Sequence, residues 1–418
     1  MSKKNNPSKQ FSKIKPPLSE ADKKRKKRKK AIIITIVTIL ILAGIGVAIY
    51  FIFFFHPSEQ PKAEEKTAKI YSRLSGLEIQ NESENSLPTY CVQVPNGTDG
   101  ARPQVGLNQA PVVFEAIAEA GITRFAAVFQ NPTSKAIGPI RSLRSYYLDW
   151  DTPFDCTIVH AGGSPEALQD LANGDYRDLT ESTDYMWRDE SGYWAPNNLM
   201  TSPALLDKFA NAKNYTKSDP KVLPRLTPDE VEKTLSEIKE ATSKENSETK
   251  NTESNSTKDT KDSKDTKSTP KLASEATINF GTTSSFNTIY KYDADSNTYL
   301  RSYANGEAHL VYSCDETSKT TPAPKSDCGI AKQVAPSAIA VMMVDEHLDS
   351  DGYHHVVQTI GTGIAYVFQN GTVEKGTWKK SSKSAQIEFK DSANNTISFT
   401  PGQLWIAAVP NSGGSVKY

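Results

Sequence analysis

Hydrophobic and polar positions divide the chain into four regimes. The first is unbroken apolarity. Ala31 to Phe55 reads AIIITIVTILILAGIGVAIYFIFFF, without a single charge. A bilayer core needs about 20 apolar residues as helix, and a helix apolar on every face has no place on a soluble surface. The pattern predicts a transmembrane helix over 31–55. The second regime, 56–85, is polar with few apolar positions and reads as a stalk.

The third regime begins near Tyr90 and mixes two periods. VVFEAIAE (Val112–Glu119) and ITRFAAVFQ (Ile122–Gln130), joined by Ala120-Gly121, predict a strand hairpin. A short helix is the alternative for the first run. In GPIRSLRSYYLDW, Ser142 is placed to cap a helix reaching Trp150. Cys156–His160 reads as a buried strand and Ala161-Gly162-Gly163 as a turn. Ser164 then serves as N-cap and Pro165 as the first helical residue. A strand–turn–helix unit predicts an α/β domain over 86–238, with a last helix at Pro228–Ile238.

The fourth regime is split from the third by a low-complexity stretch. Lys239–Lys271 is built from Lys, Thr, Ser, Glu, Asp and Asn, with Ala241 and Pro270 the exceptions. Such a segment cannot offset its ordering entropy by burial, so disorder is expected, in a linker over 239–276. From Thr277 short apolar runs recur: SFNTIYKY, NTYLRSYA, SAIAVMMV, HHVVQTI, IAYVFQ, AQIEF, TISF and LWIAAV. Turn signals separate them, Asn370-Gly371 the strongest. Residues 277–418 therefore predict a mainly antiparallel β domain, sandwich or barrel. The expected fold class is thus an α/β N-terminal extracellular domain plus an antiparallel β C-terminal domain, preceded by one transmembrane helix.

Charge adds orientation. The chain has 49 basic and 49 acidic residues, a balance that argues against bulk nucleic-acid binding. Lys23 to Lys30, however, reads KKRKKRKK directly before the apolar run. Basic residues stay on the cytoplasmic side and are drawn to anionic lipid. Residues 1–30 are thus expected to be a cytoplasmic tail, with everything after 55 outside a cell membrane crossed once. A cleavable signal peptide is the rival reading, but its apolar region is shorter and ends in small residues, whereas this one ends in Phe53–Phe55.

The cysteines are Cys91, Cys156, Cys314 and Cys328. None forms a CxxC or a metal-ligand spacing with His, so no metal site is expected, and no cofactor is called for. Cys314 and Cys328 flank a polar loop rich in Pro and Thr, and their bridging is the natural pairing. The pairing of Cys91 and Cys156 stays open, and free thiols are the alternative throughout.

Candidate chemistry gathers in the α/β region: Arg102, Gln104 and Gln109; Glu115, Glu119 and Arg124; Arg141, Ser142 and Arg144; His160, Gly162, Gly163 and Ser164. Ligands of α/β folds sit beyond the C-terminal ends of strands. His160 ends such a strand, and a glycine turn leading into a helix N-terminus favours anions. Arg124 and Arg141, with Arg102 or Arg144 in support, would form cationic walls. The plainer reading is that Glu115 and Glu119 pair with arginines and that Ser164 only caps a helix. GxSxG, HExxH, Walker A and GxGxxG signatures are absent.

ARPQVGLNQA, EAGITRFAAVFQ, IGPIRSLRSYYLD and VHAGGSPEAL occur in this order. They are followed by WRDESGYWAPNNLMTS, NTYLRSYANGEAHL, GTGIAYVFQNGTVEKGTWKK and FTPGQLWIAAVP. Together they resemble the YerB-like family of bacterial surface lipoproteins, domain of unknown function 3048 with its C-terminal domain. The resemblance implies an α/β domain, a β-rich domain and a place in the cell envelope, but no activity. It carries over Arg102, Gln104, Glu115, Glu119, Thr123, Arg124, Arg141, Ser142, Arg144, His160, Ser164, Arg188 and Asn198. The chain departs from the family in using a helix where many members carry a lipobox cysteine. It also has Asn197-Asn198 where members commonly have His-Asn.

Three readings follow. The first is a non-catalytic envelope protein that binds an anionic wall component or a partner protein. The second is a hydrolase or transferase acting on a wall polymer, using Glu115 or Glu119 with His160. The third is an assembly factor for wall-synthesis proteins.

Overall fold

The computed structural model describes residues 19–54, 69–190, 192–251, 271–281, 284–314, 328–329 and 331–418. The chain forms two compact units, residues 1–68 and 69–418. In the first, the basic run and the apolar stretch make one helix, Glu20–Phe54. Its apolar part is long enough to cross a membrane, and none of it is buried inside protein. Ile33, Ile36, Leu40 and Ile45 all lie open.

The second unit is largely β, with several sheets. It begins earlier than the expected stalk allows. Ile70–Tyr71 pairs with Glu78–Ile79, and Leu74 is buried, so residues from 69 onward belong to the folded body.

An 11-stranded sheet runs through the unit. From one edge its strands are Lys271–Leu272, Thr372–Lys380, Gly361–Gln369, Ala338–Val344 and Leu404–Pro410. It continues through Val112–Glu119, Ile122–Gln130, Thr89–Pro95, Cys156–Val159 and Arg177–Leu179, and the eleventh strand, Glu388–Lys390, pairs off this path with Thr372–Lys380. Two-residue turns fix its hairpins: Ala120-Gly121 and Asn370-Gly371 both take positive φ, as a type I′ turn requires.

The expected split into an α/β domain and a separate antiparallel domain is not what this sheet shows. Leu404–Pro410 pairs in parallel with both Ala338–Val344 and Val112–Glu119. The sheet is therefore mixed, and it passes without interruption from one half of the chain to the other. A second bond between halves is parallel pairing of Leu310–Tyr312 with Gln104–Val105. Arg225 adds a third, donating to the carbonyls of Pro111 (3.2 Å), Thr400 (3.3 Å) and Gly402 (3.2 Å). An all-antiparallel four-stranded sheet, Thr298–Tyr303, Thr288–Asp293, Glu275–Asn279 and Ser415–Lys417, lies beside it in the sequence-late half.

Both faces of the large sheet are buried, as near-continuous apolar strands require. One face packs Val113, Ile117 and Phe125 with Tyr290, Tyr299 and Trp405. The other packs Phe114, Ala126, Tyr147 and Trp150 with Ala340 and Ile406. Each core contains residues from both halves, which is the packing counterpart of the shared sheet.

One further expectation changes. The helix after Pro228 runs to Asn251, well into the stretch expected to be disordered. Val231, Leu235 and Ile238 on one side are half-buried, so an apolar stripe at helical spacing sustains its first turns. Residues 252–270 lie outside the described residues. Cys91 and Cys156 form a disulfide between neighbouring strands, and Cys314 and Cys328 form a second.

Candidate functional site

The Val112–Glu119/Ile122–Gln130 hairpin carries the chemistry, and one irregularity organises it. Cross-strand pairing sets Glu115 opposite Phe125, Ala116 opposite Arg124 and Ile117 opposite Thr123. Side chains alternate between faces along a strand, so Glu115 and Thr123 share one face while Arg124 takes the other. The register shifts between Ile117 and Glu119. A bulge of this kind re-aims the next side chain. Glu119 therefore joins Arg124 instead of Glu115.

On the first face Glu115 is fully buried, within a network of hydrogen bonds. It accepts from Thr123 Oγ1 (2.9 Å), Trp405 Nε1 (2.8 Å) and Arg301 Nη2, which reaches both carboxylate oxygens at 2.9 and 3.0 Å. Arg301 is also fully buried. It donates through Nε to the Tyr290 hydroxyl at 3.0 Å and through Nη1 to His309 Nδ1. With Nδ1 accepting, the His309 Nε2–H donates to Gln104 Oε1 at 2.9 Å, and Gln104 donates to the Pro95 carbonyl. Burial, then the Arg301 and Arg102 charges, push the His309 imidazole well below its ordinary value. Arg102 lies here too, 3.6 Å from the Tyr303 ring centroid, with its Nε donating to Asn96. Asn96 in turn donates to Thr123. The Glu115 carboxylate and the Arg301 guanidinium are each bonded several times over here, and Glu115, Arg301 and Trp405 join the two halves; Arg102 Nη2 is buried without a partner.

On the second face the balance of charge is different. Glu119 is paired with both Arg124 and Arg144. Arg124 also donates to the Ser142 carbonyl (2.9 Å), and Arg144 to that of Leu143 (2.9 Å). Arg141 is a third guanidinium close enough to act on Glu119. Among the described residues it has no ion pair of its own, and its Nε is buried without a partner, as are those of Arg124 and Arg144. Burial alone would raise the Glu119 carboxyl. The Arg124 and Arg144 charges outweigh it and hold the carboxyl below its ordinary value.

A backbone ladder fixes Arg141. Ala161 N–H donates to the Arg141 carbonyl (3.0 Å), Leu143 N–H to that of Gly162 (2.9 Å), and Ser164 N–H to that of Leu143 (3.1 Å). Arg141–Leu143 is therefore extended, and Arg144 is the N-cap of the helix Ser145–Asp151. The expected capping role of Ser142 is not found. Ser164 does cap its helix, accepting from Ala167 N–H, with Pro165 following.

The glycine turn thus supplies less than expected. The Ala161 and Ser164 N–H groups are taken by the ladder, and Pro165 has none to offer. His160 is buried, with Nδ1 2.7 Å from the Gly162 carbonyl and Nε2 2.8 Å from Asp178 Oδ1. Nδ1 thus holds the turn, and Nε2 ties His160 to the neighbouring strand Arg177–Leu179. Gly162, at φ +66°, borders open space on its Cβ side.

The structure therefore gathers Arg124, Arg141, Arg144 and Glu119 beside the Gly162-Gly163 turn, but leaves Arg102 and Glu115 in the network on the opposite face. It does not bring Glu115, Glu119 and His160 together as an acid/base set. Arg188 pairs with Glu181 and donates to Asn198 (3.0 Å) on a separate hairpin. Sequence reasoning missed Arg301 and His309. The run Tyr299-Leu300-Arg301-Ser302-Tyr303 held a signal, since Arg301 falls on the inward phase between two buried tyrosines.

Comparison with known proteins finds matches over both halves of the chain. Residues 74–216 match the family described as "Protein of unknown function (DUF3048) N-terminal domain", and residues 276–406 match its C-terminal domain. "Putative lipoprotein YerB" of Bacillus subtilis (strain 168) is 28% identical over 375 residues, covering 87% of this chain and 94% of that protein. The crystal structure of YerB protein from Bacillus subtilis superposes with a TM-score of 0.61 at 25% identity, over 84% of this chain and 100% of that one. The helix and the lipoprotein relative both point to a membrane or envelope location. With both domains present in order, the chain belongs to the DUF3048 family.

Proposed function

We propose that this is a single-pass envelope protein, N-terminus cytoplasmic and folded body outside, that binds an anionic group of a wall component or partner at Arg124, Arg141 and Arg144. The observation that carries the reading is the local charge: three guanidiniums against one carboxylate, with Arg141 unpaired among the described residues. Buried or half-buried charge is costly unless compensated, so an excess of two positive charges here suits an anion from outside. Guanidinium forks match phosphate and carboxylate in geometry. The Gly162-Gly163 turn and the bonds of His160 and Ser164 hold Arg141 in place. The basic run Lys23–Lys30 supports the orientation by keeping the tail on the cytoplasmic side.

The site is tested by titrating the full chain, in lipid nanodiscs, with inorganic phosphate and with a soluble phosphodiester oligomer. Saturable binding that weakens with salt, and falls at least tenfold in Arg141→Ala, supports the reading. Binding of neither probe argues against it. The topology is tested by adding protease to intact cells, where loss of the body and survival of the N-terminal tail are expected.

A further inference from the structure

A cavity of about 420 Å³ opens between the Ile70–Ile79 hairpin, the Leu107–Pro111 segment, the turn after Gln130 and Gly402-Gln403. That volume lies in the range of small-molecule sites, roughly 300–1,000 Å³. Its walls carry six side-chain amides: Asn85, Asn108, Gln109, Gln130, Asn131 and Gln403. Asn85 is satisfied at both ends, its Oδ1 accepting from the Arg73 N–H and its Nδ2 donating to the Tyr71 carbonyl and to Glu82. Amide orientation is normally ambiguous, but here the fold also settles four of the other five. Gln130 donates through Nε2 to the carbonyls of Asn85 and Leu87. Gln403 donates to those of Leu107 and Ala110. Asn131 donates to Glu84. Gln109 is reversed, its Oε1 accepting from the Thr133 and Ser134 N–H groups.

Each of these four amides thus spends one end on the fold and keeps the other. The ends without an intramolecular partner among the described residues are the oxygens of Gln130, Asn131 and Gln403, and the Nε2 of Gln109. Asn108 adds a buried Oδ1 with no partner, an atom that a folded protein normally satisfies. Among the amides, free acceptors therefore outnumber free donors, and the Ser72, Ser75 and Thr133 hydroxyls on the same walls can serve as either. Glu78 and Glu84 on its rim make it unfavourable for anions. Leu77, Ile79 and Pro111 supply apolar wall.

We infer that this cavity is a binding site for a neutral, hydroxyl-rich ligand, a segment of uncharged glycan. Hydroxyls are the donors that a row of amide oxygens accepts, and they also accept from the Gln109 NH₂ and from the wall hydroxyls. A peptide, with donors and acceptors in equal number, fits the surplus less well. The site is separate from the arginine cluster and takes the opposite kind of ligand. Residues from both halves of the chain build it, so it exists only in the assembled body.

The test uses the full chain in lipid nanodiscs with N-acetylchitotetraose as probe, read by saturation-transfer NMR and titration. Gln109→Glu keeps the oxygen that braces Thr133 and Ser134 while removing the donor and adding charge. Thr133→Trp obstructs the mouth from an exposed position, leaving the brace intact. Saturable binding that falls at least tenfold in both variants, and is unchanged in Arg141→Ala, supports the site. No binding by the parent chain overturns it, as does binding indifferent to both variants. Binding lost in Arg141→Ala would move the glycan to the arginine cluster, and preference for a tetra-alanine amide would assign the cavity to peptide. Either result also overturns the inference.

Discussion

Glu115 and Glu119 lie four residues apart on one strand and point into opposite faces of the sheet. Glu115 meets Arg301 and Trp405 from the other half of the chain, whereas Glu119 meets Arg124 and Arg144 from its own. The register shift between them separates the Glu115–Arg301 network from a cluster with cationic excess. That separation argues against a paired-carboxylate mechanism and directs attention to the arginines.

The Glu115–Arg301 pair should behave as structure. Arg301→Ala leaves a carboxylate buried without its cation, and breaking such a pair costs about 3–5 kcal/mol. The melting temperature should drop sharply, with anion binding at the remaining fold unaffected. A variant as stable as the parent would contradict the network's role.

The halves should unfold together. The parallel pairing of Leu404–Ala407 with Val112–Glu115 and the shared cores leave no seam at which one half can open alone. Calorimetry on the full chain should show one transition for the body. A chain ending at residue 251 exposes Val112–Glu119 as an unpaired edge and should aggregate. Two separable transitions would contradict the shared sheet.

Much of this architecture is legible locally and its seam is not. Ala120-Gly121 and Asn370-Gly371 announce their hairpins, and Ser164-Pro165 announces its helix, because each signal sits within a few residues of its effect. Glu115 and Trp405 are 290 residues apart, and nothing local to either records the pairing. Ser142 looked like a cap because sequence spacing does not reveal that Arg141–Leu143 is held extended by Gly162 and Ser164. The arginines themselves were legible as residue types, but the bulge that turns Glu119 toward Arg124 is marked by no Gly or Pro.

Acid should weaken the Glu119 cluster. The folded-state value of Glu119 is depressed below the ordinary 4.5. Its contribution is therefore complete above about pH 4.5 and is lost as pH falls through the folded value. The parent chain should lose melting temperature below pH 4.5 more steeply than Glu119→Gln. Parallel pH profiles would show that the pair contributes nothing.

The Cys91–Cys156 bridge spans 65 residues of sequence between two core strands. Chain-entropy arguments value such a loop at roughly 4 kcal/mol. Replacing both with alanine should lower stability by that order, measured by urea unfolding under non-reducing conditions. A change within error would mean that the neighbouring strands are fixed by packing alone.

Arg141→Ala, compared with the parent chain for both phosphodiester-oligomer affinity and melting temperature, tests the central claim most directly. Arg141 has no intramolecular ion pair among the described residues, so its loss should leave the melting temperature nearly unchanged while weakening binding at least tenfold. A variant that melts far below the parent yet binds the oligomer equally well would make Arg141 a structural residue and contradict the anion site.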